Sequence, residues 1–398
     1  MGAVQIAENI YWVGAMDWNI RHFHGPAYST HKGTTYNSYL IIDDKVTLVD
    51  TVYGPFSDVL LKNIAEITDP SKIDYVVSNH VETDHSGGLP AIMALNPGAK
   101  VFCSKKGEEG LRKHYFGDWD YQVVKTGTQV SLGRRSLTFV EAPMLHWPDS
   151  MFTYVNEDAI LLPNDAFGQH IATAFRFDDE VSMEEVMVEA AKYYANILTP
   201  FSDLVLKKLE EVTAMGIPIK MIGPSHGIIW RKDPSRIIRA YASWARGDTR
   251  EKAVIAYDTM WESTAKMGYA ILQGFVDEGV EAKLYAISSS DRNDIIKEIL
   301  DARMVVVGSP TINKDFLATV GPLLDDLKGL RPKAKLGAAF GSYGWSGESI
   351  KNIEERLASA GVTIAEPGLR FKWVPTEDEL ERSREYGRNL ARRLKDTG

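Results

Sequence analysis

One stretch constrains this chain more than any other: His80-Val81-Glu82-Thr83-Asp84-His85-Ser86-Gly87-Gly88. The apolar run before it, Tyr75-Val76-Val77, reads as a buried strand, so the stretch begins where a strand ends. Four side chains able to bind a metal fall within six positions, and two glycines then let the backbone turn sharply. In an extended or loosely turned segment alternate residues project the same way. His80, Glu82 and Asp84 then converge on one side and His85 points to an adjacent spot, a geometry that suits two neighbouring metals better than one. The bland alternative is a polar loop capping a strand. Only nine histidines occur in 398 residues, and two of them flank two carboxylates here, so a metal site is the expectation.

A chain of this length exceeds one ordinary core, and two domains are expected. The pattern changes near Arg246-Gly247-Asp248-Thr249-Arg250, giving domains at 1–248 and 251–398. Before the boundary come short strands, among them a hairpin from Tyr36–Ile42 and Val46–Val49, then helices, including one spanning Met183 to Val212. After it strands and helices alternate, with a helix over Phe316–Leu327 and a last strand region over Leu369–Val374. Five such units describe a doubly wound parallel sheet. The net charge of −9 argues against nucleic acid as a partner. No apolar run approaches the ~20 residues of a membrane span. The N-terminus lacks the features of a signal peptide. The single Cys103 excludes an internal disulfide, a thiolate iron–sulfur site and a rubredoxin-like Cys-x-x-Cys pair. A reducing cytoplasm is the expected location.

The same residue types recur after three later strands: Leu145-His146-Trp147-Pro148-Asp149, Asn164-Asp165-Ala166-Phe167-Gly168-Gln169-His170, and Ser225-His226-Gly227. Singly, His146 or His226 would more often be an ordinary histidine. Their recurrence at equivalent places, where loops of a sandwich meet at one rim, changes that reading. The candidate ligands are His80, Glu82, Asp84, His85, His146, Asp165 and His226. Seven ligands exceed one tetrahedral ion, and two metals sharing Asp165 is the economical arrangement. Mixed nitrogen and oxygen donors suit zinc, iron or manganese, and the donor set leaves that choice open. His22, His31 and His114 read as ordinary surface or core residues.

In the second domain, strand 254–257 runs into Asp258-Thr259-Met260-Trp261-Glu262-Ser263-Thr264, which opens a helix. Hydroxyls and N–H groups at a helix N-terminus make an anion site without Lys or Arg. It is neither a Walker loop nor Gly-x-Gly-x-x-Gly, which argues against ATP and NAD. Two further loops follow strand ends, Ser309-Pro310-Thr311-Ile312-Asn313 and Gly341-Ser342-Tyr343-Gly344-Trp345.

These patterns resemble known families. The first domain resembles the metallo-β-lactamase fold, an αββα sandwich whose motif is His-x-His-x-Asp-His, with Glu82 replacing the second histidine. That substitution, together with a flavodoxin-like second domain, resembles the flavodiiron proteins over the whole chain. The resemblance implies that His80, Glu82, His146 and Asp165 hold one iron, and that Asp84, His85, Asp165 and His226 hold the other. It places His24, His170 and Tyr193 as pocket groups around the irons, with His24 or Tyr193 supplying protons. The three loops of the second domain resemble the FMN site of flavodoxin, with Trp345 and Tyr343 against the isoalloxazine and Ile312 and Asn313 near its polar edge. The implied activity is reduction of nitric oxide to nitrous oxide or of dioxygen to water, with electrons relayed through FMN. A rubredoxin or a reduced deazaflavin is the implied donor, and a head-to-tail homodimer, or a dimer of dimers, the implied assembly. A zinc hydrolase joined to a flavodoxin-like module, or a flavin carrier without gas chemistry, are the competing readings.

Overall fold

The computed structural model describes residues 2–397, which divide into two compact units. One comprises the chain up to Tyr193 together with Asp203–Ala242, the other Tyr194–Ser202 together with Ser243 onward.

The first unit is a sandwich of two sheets. The larger runs in the order Val4–Ala7, Ile10–Trp12, Tyr39–Ile41, Thr47–Val49, Tyr75–Val77, Lys100–Cys103, Asp120–Val123. The smaller runs Gln129–Ser131, Ser136–Glu141, Met151–Val155, Ile160–Leu162, Met221–Ile222. Trp12, Tyr39, Val49, Val77 and Phe102 of the larger sheet bury against Leu137, Phe139, Val155 and Leu162 of the smaller. Strand Tyr75–Val77 lies between parallel neighbours, with Val77 opposite both Val49 and Phe102. Buried on both sides, it is an apolar run rather than an alternation.

Two local expectations change here. The 80–88 stretch is not loosely extended: Thr83–Ser86 forms a helical turn with Glu82 as its N-cap residue. Ser86 closes that turn by donating its hydroxyl to the carbonyls of Val81 (2.6 Å) and Glu82 (3.0 Å). The helix expected over Met183–Val212 is broken into Met183–Tyr193, a π-turn Tyr194–Leu198, a 3-10 turn Thr199–Phe201, and Ser202–Ala214. Pro200 has no N–H to continue the ladder. The Thr199 hydroxyl caps the break by donating to Ala195 O at 2.9 Å.

The second unit is a parallel sheet in the order Glu281–Ala286, Arg250–Tyr257, Ala302–Gly308, Leu336–Tyr343, with a last strand in two pieces, Thr363–Ile364 and Leu369–Lys372. Successive residues of the central strands serve opposite faces. Ala253, Ile255, Met304, Val306 and Phe340 pack with residues of helices Ser263–Asp277 and Glu377–Asp396. Val254, Ala256, Val305, Val307 and Ala339 pack with residues of Arg292–Asp301, Gly321–Leu330 and Glu348–Ser359. The helix expected from Phe316 starts at Gly321, because Pro322 is tolerated only in a helix's first turn. The last strand stops at Lys372 rather than Val374, because Trp373 adopts the left-handed conformation (φ 62°).

Helices Ser263–Asp277 and Glu377–Asp396 cross at Gly274 and Gly387. A Cβ on Gly387 would lie 2.2 Å from Ile271 O, and one on Gly274 2.1 Å from Arg384 O. Gly387→Ala must push the backbones apart and is expected to destabilise this unit by about 1–3 kcal/mol. Thermal unfolding followed by flavin release checks this, and an unchanged midpoint would contradict the close crossing. No helix among the described residues is long and apolar enough to cross a membrane.

Candidate metal centre and flavin cavity

The ligand-bearing loops follow the ends of Tyr75–Val77, Ser136–Glu141, Ile160–Leu162 and Met221–Ile222. Asp50, in the left-handed conformation at φ 54°, pins the first loop by accepting from Asn79 N (2.7 Å) and Asn79 Nδ2 (2.9 Å). Thr51 holds the turn behind the ligands by donating its hydroxyl to His85 O at 2.7 Å. The Ser225–Gly227 loop is tied by Asn37 N to Ser225 O at 2.8 Å.

All seven expected ligands meet in one cluster, and Asp165 stands in the middle. Its Oδ2 faces His80 Nε2 at 3.7 Å and His146 Nε2 at 3.5 Å. Its Oδ1 faces His85 Nε2 at 3.2 Å and His226 Nε2 at 3.4 Å. Glu82 Oε2 joins the first side, 3.3 Å from His80 Nε2 and 3.6 Å from His146 Nε2. Asp84 Oδ2 joins the second, 3.1 Å from His85 Nε2 and 3.0 Å from His226 Nε2. One carboxylate thus separates two sets, each with two imidazoles and one further carboxylate.

This arrangement fits cations better than a hydrogen-bonded core. Both Asp84 carboxylate oxygens, Asp165 Oδ2 and the Nε2 atoms of His85 and His146 are buried without a hydrogen bond. Each such atom left unpaired costs about 1–3 kcal/mol. The charges say the same. Burial disfavours charge on these imidazoles, yet Asp149 and Glu82 raise His80, and Asp84 and Asp165 raise His85. Against the same burial, Asp165 and Asp84 raise His226 to about 10. Burial would raise Glu82 and Asp165, but histidines hold both below the ordinary carboxylate range: His24 and His80 for Glu82, and His85, His146 and His226 for Asp165. Three clustered carboxylates demand positive charge, and metal ions supply it without protonating the ligands.

Asp149, which the sequence reading passed over as a ligand-shell group, sits behind the cluster. Its Oδ2 accepts from His80 Nδ1 (2.9 Å) and Val81 N (2.7 Å). His226 Nδ1 likewise donates to Thr35 O at 2.6 Å. With those nitrogens engaged, the Nε2 atoms of both rings are left for the cluster.

Of the three expected pocket residues, two touch ligand carboxylates. His24, at φ 52°, brings Nε2 to 3.1 Å from Glu82 Oε1. Tyr193 donates its hydroxyl to Asp165 Oδ1 at 2.9 Å, and burial together with Asp165 pushes that hydroxyl well above its ordinary range, so it keeps its proton. His170 touches none of the carboxylates. Its Nδ1 lies 2.8 Å from Thr34 Oγ1, its ring packs 4.8 Å from that of His226, and burial and His226 push it well below neutral titration. A cavity of about 270 Å³ opens onto the cluster past Phe23, His24, Tyr36, Tyr53, Glu82 and Asp84. His22, read as an ordinary exposed residue, is exposed and also lines it.

In the second unit a cavity of about 380 Å³ opens at the ends of the first, third and fourth strands in chain order. That is the switch point of a sheet ordered 2-1-3-4-5, where ligands of doubly wound folds bind. Thr259, Met260, Trp261, Ser263, Pro310, Thr311, Ile312, Ser342, Tyr343, Gly344 and Trp345 line it as expected. Glu262, Thr264, Asn313 and Gly341 do not. Glu262 is an exposed left-handed residue before the helix, and Asn313 sits in a left-handed turn at φ 52°. Thr264 is buried with its hydroxyl 3.1 Å from Ser342 Oγ. Gly341 backs onto Ser309, whose carbonyl oxygen a Cβ would meet at 1.9 Å. Trp373 and Val374, which the sequence reading missed, complete the wall. The buried Thr259 hydroxyl has no hydrogen-bond partner, as a phosphate-facing donor would not before its ligand binds. Hydroxyls at one end and indoles at the other fit a flavin mononucleotide.

Comparison with known proteins agrees with both halves. The model for the ODP family beta lactamase matches residues 34–227, and that for flavodoxin matches residues 255–387. A nitric oxide reductase of Moorella thermoacetica is 62% identical over 395 residues, 99% of each chain. An anaerobic nitric oxide reductase flavorubredoxin of Aeromonas hydrophila is 44% identical over 98% of this chain and 79% of its own. The structure of rubredoxin oxygen:oxidoreductase from Desulfovibrio gigas superposes with a TM-score of 0.97 at 41% identity, covering 99% of both chains. That of the flavodiiron protein from Giardia intestinalis gives 0.96 at 35% identity, covering 100% of this chain and 98% of its own.

Proposed function

The chain belongs to the flavodiiron protein family, and from that premise we propose that it reduces nitric oxide to nitrous oxide, dioxygen to water, or both, at an iron pair fed by FMN. The observation that carries the reading is Asp165, whose two oxygens face opposite imidazole pairs. His80, Glu82, His146 and Asp165 would hold one iron; Asp84, His85, Asp165 and His226 would hold the other. When bound, the irons and the flavin supply the electrons and the open metal position that a small gas requires.

The rest falls to the chain. Two nitric oxides take two electrons and two protons to give nitrous oxide and water; dioxygen takes four of each to give two waters. His24 lines the cavity 3.1 Å from Glu82, with its side chain 28% exposed, and is the group that brings protons in. Tyr193 holds Asp165 with one oxygen toward each imidazole pair and keeps a proton beside it. His170 is a neutral support behind His226. The cavity lined by the 259–263, 310–312 and 342–345 loops would hold the flavin. Electrons come from a separate donor, a rubredoxin or a reduced deazaflavin. The working assembly is a head-to-tail homodimer, alone or paired into a dimer of dimers. Each chain has one cysteine, Cys103, and it is free, which suits a reducing cytoplasm.

Anaerobic purification followed by iron, zinc and flavin analysis tests the reading. Two irons and one FMN per chain are expected, with consumption of nitric oxide or dioxygen driven by reduced rubredoxin. Zinc without iron, or no gas consumption by the iron- and flavin-loaded protein, would overturn it.

A further inference from the structure

The flavin cavity has a wall beyond the three loops that a phosphate-and-ring site needs. Trp373 follows strand Leu369–Lys372 and lines the cavity beside Tyr343, Gly344 and Trp345. Its conformation is costly: a bulky side chain at φ 62° is rare and persists only where its surroundings impose it. Two contacts do so. Trp373 N donates to Tyr343 O at 2.8 Å, tying the segment to the loop that carries Tyr343. The indole lies over Gly344, where a Cβ would come 2.9 and 3.1 Å from ring carbons. Glycine at 344 is therefore what admits the indole.

The result is an indole held in place yet 63% exposed, lining the same open cavity as Trp345, itself 73% exposed. Two exposed indoles lining one cavity mark a binding surface. The polarity of the cavity gives the direction. Thr259, Ser263 and the Thr264–Ser342 hydroxyl contact mark the phosphate end, and Gly344, Trp345 and Trp373 mark the ring end.

We propose that Trp373 is a flavin-binding residue of this chain, closing the cavity around the ring system of FMN from the side opposite the phosphate loop. The inference rests on the FMN reading above. Its strained backbone keeps the indole at the rim before the cofactor arrives, so ordering the side chain adds little to the cost of binding.

The full-length chain, stripped of flavin, is titrated with FMN while quenching of flavin fluorescence is followed, with circular dichroism to verify the fold. Because the side chain is exposed, Trp373→Ala is expected to fold normally and to weaken FMN binding about tenfold, as loss of an aromatic partner for a planar ring does. Trp373→Phe keeps a ring and is expected to lose less than about threefold. A folded Trp373→Ala protein that binds FMN within about twofold of the unmodified chain, the range of an ordinary surface substitution, would overturn the assignment while leaving the FMN reading intact. Failure of the unmodified chain to bind FMN would overturn both.

Discussion

Asp165→Ala is expected to abolish gas reduction and to remove both irons while leaving one FMN bound per chain. The side chain belongs to both ligand sets at once. Oδ2 faces His80 and His146, Oδ1 faces His85 and His226, and Tyr193 donates to Oδ1 at 2.9 Å. Alanine leaves four imidazoles around a space without the anion common to them. Each side then keeps one carboxylate, Glu82 or Asp84, too little to fix a pair of cations at a shared centre. The loss of turnover should exceed the ~10–100-fold that removal of a merely supporting group costs. The flavin cavity is built from other residues, so visible flavin absorbance should be unchanged. Glu82→Ala gives the contrast, because Glu82 belongs to one set only: one iron should be lost preferentially. Iron analysis and nitric oxide and dioxygen consumption of the three proteins check this. A variant lacking Asp165 that kept two irons and turned over normally would remove the bridge.

The candidate ligands are legible in the sequence because each follows a strand end, and strand ends of one sandwich share a rim. The same logic located the flavin cavity, since three loops of a doubly wound sheet meet at its switch point. What stayed hidden depends on pairings between distant segments. Asp149 was in view three residues after His146, but its partner is His80, reached only once strands Ser136–Glu141 and Met151–Val155 fold over the larger sheet. Trp373 falls inside the strand expected over Leu369–Val374, because an apolar residue after Phe371 continues an extended pattern and its left-handed turn has no glycine to announce it. Thr264 and Gly341, expected in the same loops, stand behind the cavity wall: the Thr264 hydroxyl lies 3.1 Å from Ser342 Oγ, and Gly341 backs onto the Ser309 carbonyl.

Asp149→Ala is expected to weaken iron binding on the His80 side by about 10–100-fold, without replacing any ligand. Asp149 is buried, and its Oδ2 takes both His80 Nδ1–H and Val81 N–H, at 2.9 and 2.7 Å. A carboxylate there forces the proton onto Nδ1 and leaves the Nε2 lone pair facing Glu82 and Asp165. Its negative charge makes that imidazole a stronger donor. Alanine removes both effects and strands two buried N–H groups, at about 1–3 kcal/mol each. The ring is then free to turn or to carry its proton on Nε2, where it cannot bind a metal. Asp149→Asn retains an oxygen acceptor of the same size without the charge, so its loss should fall between alanine and the unmodified chain. Competition with an iron chelator measures the affinity, and the His85–His226 side, which does not touch Asp149, serves as the internal reference. Equal weakening on both sides would mean that the substitution acts through the fold. No weakening on either would mean that packing against Trp147, whose ring centroid lies 5.2 Å from that of His80, suffices to orient the ring.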